Sequence, residues 1–233
     1  MIDITTTATI RPELIDSTFK SFTENMFTKS SNVRLIINID PIGDDNCTSD
    51  DVLNVCKKYF SNIIVNTPET PSFARAVIWC WNNTISETVF HLEEDWKLLN
   101  NVNIGNLISI INSCRNLVSL RLSKEVLENI PYVVREKEYM IVPRLSLNPT
   151  LFKGSFVRDI SRLMTTEKNP EKQLRDSDKT ERGLYLKNVK HSVYIPKKGS
   201  NCVVEDIGRD WMKNSKFEKD CGFTAWKLKN KSV

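Results

Sequence analysis

Hydrophobic and polar positions follow two rhythms along the first 122 residues, and the rhythms take turns. Ile2–Thr7 is a short β-branched run, and Pro12 then stands where a helix tolerates proline, in its first turn. Ile15, Phe19, Phe22 and Met26 recur at helical spacing and predict an amphipathic helix with one apolar face. Val33–Ile39 is nearly continuous in apolar character, as expected of a strand covered on both faces, and it runs into the turn-rich Asp40-Pro-Ile-Gly-Asp-Asp45. Ser49-Asp50 is expected to cap a second helix bearing Val52, Val55, Cys56 and Tyr59. Asn62–Asn66 reads as a strand, Phe73, Val77, Ile78 and Trp81 as a helix after Pro71, and Thr88–Leu92 as a fourth strand. Ile104, Leu107, Ile108 and Ile111 predict a helix, and Leu117–Leu122 a fifth strand. Such alternation predicts an α/β/α sandwich around a mostly parallel, Rossmann-like central sheet.

After residue 122 the pattern loosens. Glu125–Glu138 reads as a charged connection around Pro131, and Tyr139–Leu147 as an edge strand, because Pro143 cannot donate to a ladder. Phe156–Met164 reads as a helix, Pro170–Asp178 has helical potential, and Asp210–Phe217 reads as a short helix. Ser192–Ile195 and Cys202–Val204 read as short strands, and Lys227–Val233 as a tail. The expectation is one domain over residues 1–233, with a regular half at 1–122 and an irregular half at 123–233.

Composition narrows the class. The 233 residues are 40% hydrophobic and 27% charged, as in ordinary globular proteins. No apolar run approaches the roughly 20 residues that span a bilayer, and the N-terminus shows no signal-peptide pattern, so the expectation is a cytoplasmic protein without a membrane partner. Six cysteines without a CxxC pair read as reduced thiols, and two histidines are too few for a His-rich metal centre. The net charge of +4 is uneven: residues 1–150 carry 14 Lys/Arg against 18 Asp/Glu, and residues 151–233 carry 19 against 11. The basic second half is suited to phosphates, of a nucleotide or of a nucleic acid.

Thr88-Val-Phe-His-Leu-Glu-Glu-Asp-Trp96 holds the candidate chemistry. A strand runs into three adjacent carboxylates, Glu93, Glu94 and Asp95, which repel one another unless a cation is present. Hard oxygen ligands of this kind suit Mg²⁺ or Mn²⁺, which take one or two carboxylates plus phosphate oxygens. In an extended segment Glu93 and Asp95 would share one face and Glu94 the other. Parallel sheets bind ligands beyond the carboxyl ends of their strands, where the loops beginning at Ala8, Asp40, Thr67 and Glu93 should lie together. His91, inside the strand, reads as structural.

These residues resemble a known family. Val89-Phe-His-Leu-Glu-Glu-Asp-Trp96, at the end of a central strand in an α/β half, is similar to the Asp-x-Asp-type motif of the GT-A glycosyltransferases, in a small viral- or bacterial-like form with Glu in the first place. The order of elements carries the resemblance over about residues 1–150. Beyond that it rests on His191 and Val204-Glu-Asp-Ile-Gly-Arg-Asp-Trp211. The resemblance implies a metal-dependent transfer of a sugar from a nucleotide-sugar donor, with a UDP-sugar expected, to an acceptor hydroxyl. It implies a nucleotide-sugar-binding half at 1–122 and an acceptor-binding half at 123–233. It makes Thr5, Thr6, Thr7, Arg11, Asp40, Arg75, Glu93 and Glu94 candidate donor contacts, with Arg11 on the diphosphate and Asp40 near the base. It makes Asp95, Glu93 and His191 candidate ligands of Mn²⁺ or Mg²⁺. An inverting reaction would also need a base, for which Glu171 and Asp206 are the candidates.

The acceptor is open on sequence alone. DNA with hydroxymethylated bases is one candidate, since the basic second half with Trp211 and Trp226 suits a phosphate backbone. The alternatives are a nucleotidyltransferase, against which stands the absence of glycine from Thr5-Thr-Thr-Ala-Thr-Ile-Arg11, and a non-catalytic nucleotide- or nucleic-acid-binding module. No GxGxxG follows the first strand, which argues against a dehydrogenase.

Overall fold

The computed structural model describes residues 1–27, 32–124, 138–176, 178–196, 202–219 and 226–229. The chain begins β1 (Ile2–Ile10), α1 (Pro12–Asn25), β2 (Val33–Gly43), α2 (Ser49–Tyr59), β3 (Ile63–Asn66), α3 (Phe73–Asn82) and β4 (Thr88–His91). It continues with β5 (Trp96–Leu98), α4 (Ile104–Asn112), β6 (Leu117–Arg121), β7 (Tyr139–Val142), β8 (Thr150–Lys153) and α5 (Gly154–Arg162). The described remainder is α6 (Pro170–Gln173), α7 (Glu181–Lys187), β9 (Lys190–Tyr194), β10 (Val204–Asp206), α8 (Arg209–Asn214), β11 (Phe217–Lys219) and β12 (Trp226–Leu228).

Eight strands form the central sheet in the order β3-β2-β1-β4-β8-β6-β9-β7. β3, β2, β1 and β4 are parallel, as the alternating pattern predicts. β8 is antiparallel and inserts between β4 and β6, so β6 keeps the direction of β4. Neighbouring residues on a strand serve opposite faces. Leu35, Ile37 and Phe90 join Phe19, Phe22 and Leu107 in one core, whereas Ile36 and Val89 join Trp81, Phe152 and Phe156 in the other. Burying one such Phe side chain is worth roughly 1.5–3 kcal/mol, so both helix layers are firmly held.

Several boundaries differ from expectation for local reasons. Thr48, not Ser49-Asp50, caps α2, in a capping box with Asp51. β7 stops before Pro143 and lies at the sheet edge. The helical potential of Pro170–Asp178 is used only as far as Gln173, and the helix expected over Asp210–Phe217 is α8, followed by β11. Most of the charged connection around Pro131, and the chain end beyond Lys229, lie outside the described residues. Among the described residues no helix is long and apolar enough to cross a membrane.

Candidate functional site

The carboxyl ends of β1, β2 and β4 open on one edge of the sheet, and a cavity of about 80 Å³ lies there. Thr7, Ala8, Thr9 and Arg11 line it from β1 and the start of α1, Asp40 from β2, Phe73 and Ala76 from α3, and Glu93, Glu94 and Asp95 from beyond β4. Lys219 reaches it from β11, with its ammonium 5.8 Å from the Phe73 ring.

The acidic triplet is not extended. Glu94 and Asp95 form a turn between β4 and β5, and all three acidic residues are among those that line the cavity. Glu94 is buried and bonded inward. It pairs with the Arg11 guanidinium and accepts from the Thr9 amide at 3.2 Å and the Thr9 hydroxyl at 3.1 Å. Its backbone carbonyl accepts from Thr18 Oγ1 at 2.6 Å. Asp95 Oδ2 lies 3.6 Å from Arg11 Nη2, and the Asp95 carbonyl accepts from the Ile207 amide at 2.8 Å. Glu93 Oε2 accepts from Trp96 Nε1 at 3.4 Å. A Cβ on Gly208 would collide with the Asp95 carboxylate, so this glycine sets how closely the C-terminal segment approaches.

Charge follows from this geometry. Burial raises the Glu93 and Asp95 pKa values, and repulsion within the triplet raises them further. Arg11 and Lys219 offset only part of the rise at Asp95, and Lys219 part of that at Glu93. Burial works against the Arg11 cation, but Glu94 and Asp95 outweigh it and raise its pKa. Burial lifts the Asp40 carboxyl to about 6, against bonds from Asn38 Nδ2 at 2.9 Å and the Ser72 amide at 3.0 Å. Trp211 covers Arg11, with its ring centroid 4.6 Å from the guanidinium carbon, and donates to Asp44 Oδ1 at 2.8 Å.

Of the residues singled out in the sequence, the cavity gathers Thr7, Arg11, Asp40, Glu93, Glu94 and Asp95. Arg11 lines the cavity and is paired with Glu94, so its first partner in the structure is internal. Thr5 and Thr6 are fully buried within the central strand, and Thr5 Oγ1 is 3.1 Å from His91 Nδ1. Arg75 is exposed and donates to Thr70 Oγ1 at 3.3 Å, outside the cavity lining. His191 lies in the sheet, 2.8 Å from Ser119 Oγ, and its ring meets that of Phe156. Burial lowers its pKa to about 4, and it is not among the cavity's lining residues. Asp206 adds its charge beside Asp95 while accepting from the Gly208 amide and Arg209 Nε. Glu171 belongs to a different pocket, paired with Arg175 at 2.8 Å. Phe73 carried only the apolar signal of its helix, and Lys219 carried none. Trp211 carried one, in the fragment ending Asp210-Trp211, but as a contact for nucleic acid.

No family model matches the chain, and no curated protein matches it. Solved structures do. S. aureus TarS superposes with a TM-score of 0.54 at 14% identity, over 85% of this chain and 36% of that one. TarS residues 1–349 in complex with UDP-GlcNAc give 0.51 at 13%, over 87% and 60%. The mannosyltransferase PcManGT from Pyrobaculum calidifontis, in complex with GDP-Man and Mn²⁺, gives 0.57 at 13%, over 85% and 58%. The fold is GT-A. At these identities the likeness establishes the GT-A architecture, and this chain spans 36%, 60% and 58% of the three matched chains.

The donor set suits a hard divalent cation. Glu93 and Asp95 are part-exposed carboxylates that repel each other, and the nearest guanidinium is already shared with Glu94. Among the described residues no group of three or more His, Cys, Asp or Glu forms a cage.

Proposed function

We propose that this chain is a metal-dependent glycosyltransferase that moves a sugar from a nucleotide-sugar donor to an acceptor hydroxyl. One observation carries the reading: Glu93 and Asp95, with raised pKa values, stand at the carboxyl edge of a GT-A sheet beside Thr7–Arg11 and Asp40. Bound nucleotide-sugars in two structures of this fold, one with Mn²⁺, support it.

Asp95 and Glu93 would hold Mn²⁺ or Mg²⁺, which when bound supplies Lewis-acid neutralisation of a departing diphosphate. Lys219 adds a cation at the same cavity. Arg11 holds the turn through Glu94 and keeps Asp95 oriented. Asp40 offers a carboxylate to an N–H of the nucleobase, and a UDP-sugar is the expected donor. In the transfer, the bond from the anomeric carbon to the diphosphate oxygen breaks as the bond to the acceptor oxygen forms. If the anomeric carbon is inverted, the hydroxyl proton passes to a carboxylate, for which Asp206, beside Asp95, and Glu171 are the candidates. Residues 1–122 supply most of the donor cavity. Residues 123–233 supply Lys219 and, in this reading, the acceptor contacts.

A panel of UDP-, GDP- and CMP-sugars, with and without Mn²⁺, tests the donor by thermal shift and by release of nucleoside diphosphate. Mn²⁺-dependent stabilisation and turnover by one nucleotide class is expected. No stabilisation by any of them would refute the reading. Hydroxymethylated duplex DNA remains the acceptor that the basic second half favours, and gel shifts at rising salt test it, with negligible binding at low salt excluding it.

A further inference from the structure

We propose that Asn38 and Asn66 are positioning residues for donor selection: with the Ser72 amide they hold Asp40 as a fixed hydrogen-bond acceptor, so that the cavity takes a nucleotide whose base carries a ring N–H, uracil or guanine, and rejects cytosine and adenine. The proposal rests on the glycosyltransferase reading above, with Asp40 facing the base. Asn38 and Asp40 are two residues apart on β2 and so share one face of the strand. Asn66, on β3, is the register partner of Asn38. The three side chains form a chain that ends at the cavity. Asn66 Nδ2 donates to Asn38 Oδ1 at 2.6 Å, and Asn38 Nδ2 donates to Asp40 Oδ1 at 2.9 Å. The Ser72 amide, at the start of α3, donates to Asp40 Oδ2 at 3.0 Å. Asn38 and Asp40 are 2% and 4% exposed, so water competes little for the bond between them.

This chain has one polarity. An ionised carboxylate accepts and cannot donate, so Asn38 must turn its amide nitrogen toward Asp40. Its carbonyl then faces β3, where Asn66 answers with its own amide nitrogen. The backbone N–H of Ser72 donates whatever the side chains do. Both Asp40 oxygens therefore meet donors, which fixes the plane of the carboxylate and holds its charged form against burial. A carboxylate has about four acceptor sites, and these bonds use a single site on each oxygen. Toward the cavity Asp40 thus offers acceptor capacity alone. Uracil meets it with the N3–H, and guanine with the N1–H and an N2–H side by side. Cytosine and adenine place a ring-nitrogen lone pair at the corresponding position, which a carboxylate repels. Their exocyclic amino groups reach one oxygen only with that lone pair set against the other. A buried acceptor left facing a lone pair is worse than a bond merely missing, because its desolvation is not offset.

Calorimetric titration of the whole chain with UDP, GDP, CDP and ADP in the presence of Mn²⁺ tests this, together with N3-methyl-UDP and N1-methyl-GDP, in which a methyl replaces the ring proton. UDP or GDP should bind, which also tells the two bases apart, and CDP and ADP should bind at least about tenfold more weakly. The methylated form of the preferred nucleotide should likewise lose about tenfold or more against its parent. Asn38→Leu and Asn66→Ala should bring that ratio down to about threefold or less, because Asp40 then turns to suit either ligand. A role in the fold alone would weaken both nucleotides alike and leave the ratio unchanged. Asn66→Ala, at the outer end of the chain, covers the case in which Asn38→Leu does not fold. Equal binding of all four nucleotides, a preference for CDP or ADP, a methylated nucleotide bound as tightly as its parent, or an unchanged ratio in the folded variants would overturn the proposal. Failure of the glycosyltransferase reading looks different: no nucleoside diphosphate would bind, and the selection would fall with the donor site.

Discussion

Replacing Arg11 with Met tests whether this arginine serves the fold or waits for substrate. Arg11 is 4% exposed and Glu94 5%. Arg11 pairs with Glu94, lies 3.6 Å from Asp95 and donates from Nε to Thr9 Oγ1 at 2.7 Å. In Arg11→Met, Glu94 keeps only the two Thr9 donors, and its buried charge loses its cation. Breaking a buried pair from one side costs about 3–5 kcal/mol. Glu94→Gln is milder, about 1–3 kcal/mol, because Arg11 retains Asp95. The double variant leaves neither charge stranded and should be less damaged than the sum of the two by about 2 kcal/mol or more. Urea unfolding of the four proteins at pH 7, with equal m-values, gives the coupling. Added salt should change it little, since the pair is shielded from solvent. Additivity within about 0.5 kcal/mol, with Arg11→Met no less stable than the parent, would refute the internal role and return Arg11 to the diphosphate.

Three further outcomes follow from the same geometry. Gly208→Ala should push the Asp95 carboxylate aside and lower Mn²⁺-dependent turnover by about tenfold or more while far-UV circular dichroism is retained, and unchanged turnover would contradict that contact. Asp40, raised to about 6 from 3.8, holds its proton more tightly in the folded state, so its contribution is present in acid and is lost as the pH rises from about 4 through 6. Asp40→Asn should remove that slope, a change of at most about 3 kcal/mol in urea stability between pH 4 and 7, and identical slopes in both proteins would refute the assignment. Nucleotide-sugar sites are generally larger than about 80 Å³, so donor binding should displace Trp211 from Arg11 and change its fluorescence. That change should vanish in Trp211→Phe, and its persistence there would place the movement elsewhere.

The sequence made the parallel part of the sheet readable because β1 to β4 are separated by helices with clear apolar stripes. It did not reveal β8, whose residues Thr150–Lys153 sit between a proline and a glycine with no periodic signal. Only pairing with β4 and β6 makes that segment a strand. At the site, three adjacent acids announced themselves by charge alone, but not which of them would turn inward. Glu94 does so because Arg11 and Thr9 lie directly across from it, a distant pairing that no local pattern encodes. Lys219 and Phe73 reach the cavity through folding of separate segments, and His191, placed by resemblance near the metal, is held in the sheet by Ser119.

Calorimetric titration of Mn²⁺ into the chain in the presence of UDP, compared with Asp95→Asn, tests the central claim most directly. The account predicts a saturable site with one Mn²⁺ per chain in the parent, weakened by about a hundredfold or more in the variant, because a lost carboxylate ligand is not replaced. Equal Mn²⁺ affinity in the two proteins would contradict it.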